Sequence, residues 1–129
     1  MLKIDAKTDY GLLIMLELAR HPGQIVPLGP LARHLGVSSP YLSQIAKSLQ
    51  RAGLIASREG AGGGYFLARA AKEIKVMEIL EALSGKIKLR CHHQSCSHFG
   101  QCGLRSAWPL ILNDIKSSLE DRTLESLLV

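Results

Sequence analysis

All three cysteines of this chain, Cys91, Cys96 and Cys102, fall within twelve residues, spaced C-x4-C-x5-C. Three of its five histidines, His92, His93 and His98, lie among them. The segment CHHQSCSHFGQC is too polar to form a core, so thiols gathered this closely are expected to do chemistry. Three thiolates with a variable fourth ligand hold an iron–sulfur cluster. Three thiolates with a histidine hold zinc, although structural zinc more often uses tighter C-x2–4-C pairs. A metal-free thiol switch is the third option. The wide spacing favours the cluster. Lys86, Lys88, Arg90 and Arg105 flank the segment and suit thiolates or an anionic cluster. His92, His93 and His98 are local candidates for a fourth ligand, and Asp9 is a distant one.

A second constellation lies upstream. Leu31, Ala32 and Leu35, then Gly36 and Val37, then Leu42, Ile45 and Leu49 have the register of a helix-turn-helix. Ala32 lets the second helix approach closely, and Gly36 takes a positive φ without strain. The apolar stripe leaves Tyr41, Ser43, Gln44, Lys47, Ser48 and Arg51 on the other faces. Ser38, Ser43 and Gln44 sit where a recognition helix reaches base edges in the major groove. Lys47 and Arg51 lie further along and suit phosphates, which set affinity rather than sequence preference. Arg58 and the glycine-rich run at Gly60, Gly62, Gly63 and Gly64 read as a hairpin tip. Its backbone would press on DNA while Arg58 enters a minor groove. No GK[ST] and no helix come after these glycines, which disfavours a nucleotide loop.

The elements that must position these groups are readable in outline. Helices are expected over residues 7–21, 28–35 and 40–52, the last with Ser39 as N-cap, Pro40 at its first position and Gly53 at its exit. Short strands are expected at 54–58 and 65–68, a helix at 75–84 stopped by Gly85, and a Cys/His loop at 88–103. A long helix over 104–121 and a final turn at 123–128 complete the chain. On that helix Leu104, Trp108, Ile111 and Ile115 recur at 4,3,4 spacing with Leu112 and Leu119 beside them, the pattern of a dimer seam. Pro109 removes one backbone donor and is expected to disturb the helix.

The chain has 129 residues, 47% apolar and 21% charged, a globular composition. A chain this short buries roughly two thirds of its unfolded surface, so association is a natural supplement. Aromatics, at 5%, are too few for a single-strand stacking platform. Residues 1–72 hold nine basic and four acidic side chains, or +5, whereas residues 73–129 hold seven of each. The net charge therefore sits in the half with the helix-turn-helix, as expected of a polyanion-binding unit. This divides the chain into a DNA-binding domain over 1–72, and a cluster loop with its dimerisation helix over 73–129. Lys3, Asp5, Lys7 and Asp9 open the chain, with neither a signal-peptide core nor a membrane span after them. A cytoplasmic location is expected, with no membrane partner and no small-molecule substrate. In a reducing compartment an odd number of cysteines does not form a disulfide framework. No nucleophile–base pair or paired carboxylates suggest an enzyme.

The chain resembles the Rrf-two family of bacterial winged-helix transcriptional regulators over essentially its whole length. The resemblance rests on Lys7-Thr8-Asp9-Tyr10-Gly11-Leu12, on Ser38, Tyr41, Leu42 and Gln44, and on Gly53-Leu54. It also rests on Gly62-Gly63-Gly64-Tyr65, the three cysteines, and Thr123-Leu124 with Leu127. It implies a mainly α fold, a winged helix-turn-helix with a short β-hairpin wing and a long C-terminal dimerisation helix. It further implies a homodimer on double-stranded promoter DNA, a repressor in character. Each subunit would carry one cluster, 2Fe-2S or 4Fe-4S, on Cys91, Cys96 and Cys102, and cluster state would control DNA affinity in response to nitric oxide, redox or iron status. IscR-like members place a histidine three residues after the last cysteine, where this chain has Arg105. NsrR-like members carry the Thr-Asp-Tyr-Gly run, whose aspartate ligates the cluster of the other subunit; Asp9 stands there. The alternatives are a zinc-stabilised helix-turn-helix module that binds protein and a metal-free thiol-switch regulator.

Overall fold

A computed structural model describes residues 4–88 and 102–128 of the chain. Helix α1 (Ala6–Arg20) starts at Asp5, whose carboxylate accepts from the Thr8 amide at 2.8 Å. Ile14, Met15, Leu18 and Ala19 of α1 are buried, at the 3,4 spacing of one helix face. Helix α2 (Leu28–Leu35) ends on Gly36, at φ 70°, whose amide bonds back to the Ala32 and Arg33 carbonyls. That left-handed residue makes the tight turn into α3 (Ser39–Arg51). The N-cap of α3 is Ser38 rather than Ser39: its hydroxyl accepts from the Tyr41 amide at 3.2 Å. An N-cap side chain reaches the amide two or three residues on, and with Pro40 inside the first turn, Ser38 has that register.

Strands β1 (Ile55–Arg58) and β2 (Gly64–Leu67) form an antiparallel hairpin in which Arg58 faces Gly64. Val26 adds a one-residue bridge to Tyr65, exchanging amide–carbonyl bonds of 2.8 and 2.9 Å. A Cβ on Gly64 would overlap the Val26 carbonyl, so only glycine admits this third segment. After a short 3-10 turn at Ala71–Glu73, α4 (Val76–Ser84) begins with Glu78 accepting from the Lys75 amide at 3.0 Å. This bond, joined by Arg69 at 3.0 Å, holds the Glu78 carboxyl below its ordinary range. Helix α5 (Gly103–Glu120) runs on through Pro109. A last 3-10 turn (Glu125–Leu127) is fastened by reciprocal bonds between Thr123 and Ser126.

One core joins these pieces. It contains Ile14, Met15, Leu18, Leu42, Leu49 and Leu54 together with Ile74, Ile79, Leu83 and Leu124. It therefore draws on both sides of the 72/73 division, which is a division of charge and proposed role, not of packing. Helix α5 contributes no buried residue to this core. It lies beside α4 with Trp108, Leu112, Ile115 and Leu119 half-buried, while Leu104, Leu110 and Ile111 are 55%, 65% and 41% exposed. The expected stripe thus divides, Trp108 and Ile115 turning inward and Leu104 and Ile111 outward. Among the described residues no helix is long and apolar enough to cross a membrane.

Candidate DNA interface and thiol site

Helix α3 buries Leu42, Ile45, Ala46 and Leu49, which fixes its opposite face. Tyr41, Gln44, Lys47 and Arg51 are exposed there, at 3,3,4 spacing. Ser43 is half-buried, and Ser38 is exposed with its hydroxyl engaged in capping. Arg51 folds back so that its Nε donates to the Lys47 backbone carbonyl at 3.4 Å, which keeps the guanidinium along the last turn of the helix. Gln50 Nε2 donates to Ser57 Oγ at 3.1 Å, tying the recognition helix to the wing. Sequence reasoning missed this tie, because nothing local distinguishes Gln50 from any exposed glutamine.

At the wing tip Gly60 and Gly62 take φ values of 95° and 74°. Gly63 is needed for a different reason: a Cβ there would overlap the Arg58 carbonyl oxygen. The tip is exposed, with Arg58 exposed at its root. A backbone without side chains can approach a phosphate or a groove edge closely.

The first two turns of α1 form a junction that the sequence did not reveal. Thr8, only 4% exposed, pairs its hydroxyl with that of Ser84 at 2.5 Å, at the end of α4. Gly11 lies against Leu83, where a Cβ would overlap the leucine side chain. On the neighbouring face Tyr10 meets Tyr41 edge to face, ring centroids 6.0 Å apart at 88°. One short stretch of α1 therefore touches both the end of α4, from which the cysteine segment departs, and the start of the recognition helix. Asp9 lies within it, exposed, its side chain making no hydrogen bond or ion pair among the described residues.

Of the three cysteines only Cys102 is among the described residues; Cys91, Cys96 and the three loop histidines lie outside them. Cys102 is a half-exposed free thiol at the N-cap of α5 and does not use its sulfur for capping. The N-terminus of an 18-residue helix carries positive partial charge, which suits a thiolate or an anionic cluster. Lys86 and Lys88 precede the cysteine segment in the sequence. A soft, half-exposed sulfur at a helix N-terminus, with an exposed carboxylate at Asp9, has the donor chemistry a cluster uses. Among the described residues no three potential ligands converge.

The family model of Rrf2 iron-dependent transcriptional regulators matches residues 4–129. The HTH-type transcriptional regulator IscR of Vibrio atlanticus is 33% identical over 98% of this chain and 75% of its own length. Among solved structures, CymR, the global cysteine regulator of B. subtilis, is 35% identical with a TM-score of 0.82, covering 98% of this chain and 96% of that one. IscR of T. potens is 35% identical with a TM-score of 0.76, covering 98% and 85%. These relatives are regulators of transcription and not enzymes, and the winged-helix architecture is shared along the chain. The protein belongs to the Rrf2 family of transcriptional regulators.

Proposed function

We propose that this regulator is a homodimeric DNA-binding repressor whose promoter affinity is set by an iron–sulfur cluster. Cys91, Cys96 and Cys102 are its ligands, and Asp9 reaches across the dimer as the fourth. Ser38, Tyr41, Ser43 and Gln44 face the major groove, Lys47 and Arg51 hold phosphates, and Arg58 with Gly60, Gly62 and Gly63 forms the wing contact. The chemistry supplied by such a centre is a ligand set that nitric oxide, oxygen or iron loss can break.

The observation that carries this reading is the junction in α1. Asp9 shares its turns with Thr8 and Gly11, packed on the end of α4, and with Tyr10, packed on Tyr41. A bond made or lost at Asp9 thus acts on the helix that orients the DNA-reading element. Moving an equilibrium from about 1:99 to 99:1 takes about 5.5 kcal/mol. An aromatic edge contact contributes about 0.5–1.5 kcal/mol. That differential has to come from the bonds made at the cluster, and the Tyr10–Tyr41, Thr8–Ser84 and Gly11–Leu83 contacts are where a displacement of α1 would be felt.

Anaerobic purification with an absorption spectrum and iron, acid-labile sulfide and zinc analysis tests the cofactor. A brown protein with iron and sulfide in similar amounts supports the reading; a colourless protein with stoichiometric zinc gives the cysteines a structural role. Asp9→Ala should leave apo folding intact and weaken the dependence of promoter binding on cluster state. Unchanged cluster spectra together with unchanged promoter binding would remove Asp9 from the ligand set.

A second reading, a metal-free thiol switch, is favoured by the half-exposed free thiol of Cys102 and by the likeness to CymR. It is selected if cluster reconstitution fails and thiol oxidation alone changes DNA affinity.

A further inference from the structure

Resting on the DNA-binding reading above, we propose that Lys7 is a phosphate-contacting residue, which makes the first turn of α1 a third DNA-binding element beside the recognition helix and the wing. A groove of about 460 Å³ runs along a flank of α3, and Lys7 lines it together with Tyr41, Gln44, Ile45, Ser48 and Arg51. Three of those partners, Tyr41, Gln44 and Arg51, belong to the exposed face assigned to DNA. Lys7 is itself exposed and makes no ion pair among the described residues. The placement is held rather than incidental. Lys7 and Tyr10 are three residues apart and share a helix face. Tyr10 is seated on Tyr41, which keeps that face turned toward α3.

Two carboxylates lie near Lys7 in sequence; Asp5 attracts it without forming an ion pair, and among the described residues neither carboxylate is bonded to it. Asp5 is the helix cap, its carboxylate folded onto the Thr8 amide at 2.8 Å. Asp9 is two residues on, about 200° around the helix from Lys7. The same turn thus presents a cation on the α3 side and a carboxylate well away from it. A lysine offers a point charge on a flexible stem, suited to a phosphate rather than to a base edge.

Counterion release makes the test quantitative, because each phosphate contact adds about 0.9 to the slope of log affinity against log salt. The probe is a fluorescein-labelled random-sequence duplex of about 30 base pairs, titrated with the purified full chain between about 50 and about 200 mM KCl. Lys7→Gln should reduce the slope by about 0.9 per contact, so that the wild-type advantage shrinks about 3.5-fold across that salt range. Lys7→Arg should retain the wild-type slope. Lys72→Gln is the control, since Lys72 lines a different groove with Ala19 and Pro22, at the other end of α1. A wild-type slope in Lys7→Gln overturns the proposal, whether its affinity is unchanged or lowered equally at every salt concentration. A wild-type protein with no salt-dependent binding overturns the DNA-binding reading itself, and this inference with it.

Discussion

Ser38 shows how one side chain serves two purposes. Its hydroxyl satisfies the Tyr41 amide, and the residue stands at the end of the recognition helix that faces DNA in the proposed complex. Ser38→Ala should cost about 1 kcal/mol of stability, the usual worth of an N-cap, measured by urea denaturation. It should also weaken DNA binding without a change in salt slope, because no phosphate contact is lost. Two carboxylates contribute to the acid side of the stability profile. Hydrogen bonding from Thr8 lowers the Asp5 pKa below 3.8, and the Lys75 amide, with help from Arg69, lowers that of Glu78 below 4.5. A carboxylate with a depressed folded pKa stabilises the fold at pH above its unfolded value and loses that contribution as pH falls through the folded one. Stability should therefore be level in these two groups above about pH 5 and fall at more acid pH. Glu78→Gln should flatten part of the loss on the acid side of about pH 5, read from urea midpoints across an acid series. Ser38 is expected from the sequence to face DNA, but its capping role is not distinguishable there from that of Ser39. Two adjacent serines have the same local chemistry, and only the backbone register separates them.

At the scale of elements, the notable asymmetry is between α1 and α5. Helix α1 is built into the core and touches α3 and α4 through specific contacts at Tyr10, Thr8 and Gly11. Helix α5 has no buried residue, and its C-terminal end is fastened by the short tail after it. Leu124 is 0% exposed within the core, its amide donates to the Ile74 carbonyl at 2.8 Å, and the Val76 amide donates to the Arg122 carbonyl at 3.0 Å. Leu124→Ala should cost about 2–5 kcal/mol, the range for truncating a buried leucine. Hydrogen exchange should quicken first at the C-terminal end of α5 and the adjoining turn, before the core helices. If protection were lost uniformly, the tail would be one more core residue and not the fastening of α5. The final turn is legible from residues 123–128, but its docking is not. Leu124, Leu127 and Leu128 stand three and four apart, but a pattern one turn long does not say which core it meets, and only Leu124 is fully buried.

For the molecule as a whole, the exposed apolar side of α5 bears on assembly. Leu104, Leu110 and Ile111 stand out from the monomer on a helix that buries nothing fully. Two such helices packed together would cover them, and a dimer would present two recognition helices to paired half-sites. The double variant Leu104→Glu/Ile111→Glu should sediment as a monomer with its helical content retained, and should lose preference for paired half-sites. A wild-type sedimentation profile in that variant would place the seam elsewhere.

Much of this protein is determined by local sequence. The helix-turn-helix comes from apolar spacing around Gly36, the wing from its glycine run, and the cysteine segment from three thiols in a polar context. Each is a short-range pattern whose physical cause lies within a few residues. Tertiary structure alone decided the rest. It turned Trp108 and Ile115 toward α4 and Leu104 and Ile111 outward, although all four share one spacing. It brought Val26 to Tyr65, Tyr10 to Tyr41, and Lys7 to the groove along α3. These contacts join residues far apart in the chain, and burial and close approach are properties of the packed core rather than of any one segment.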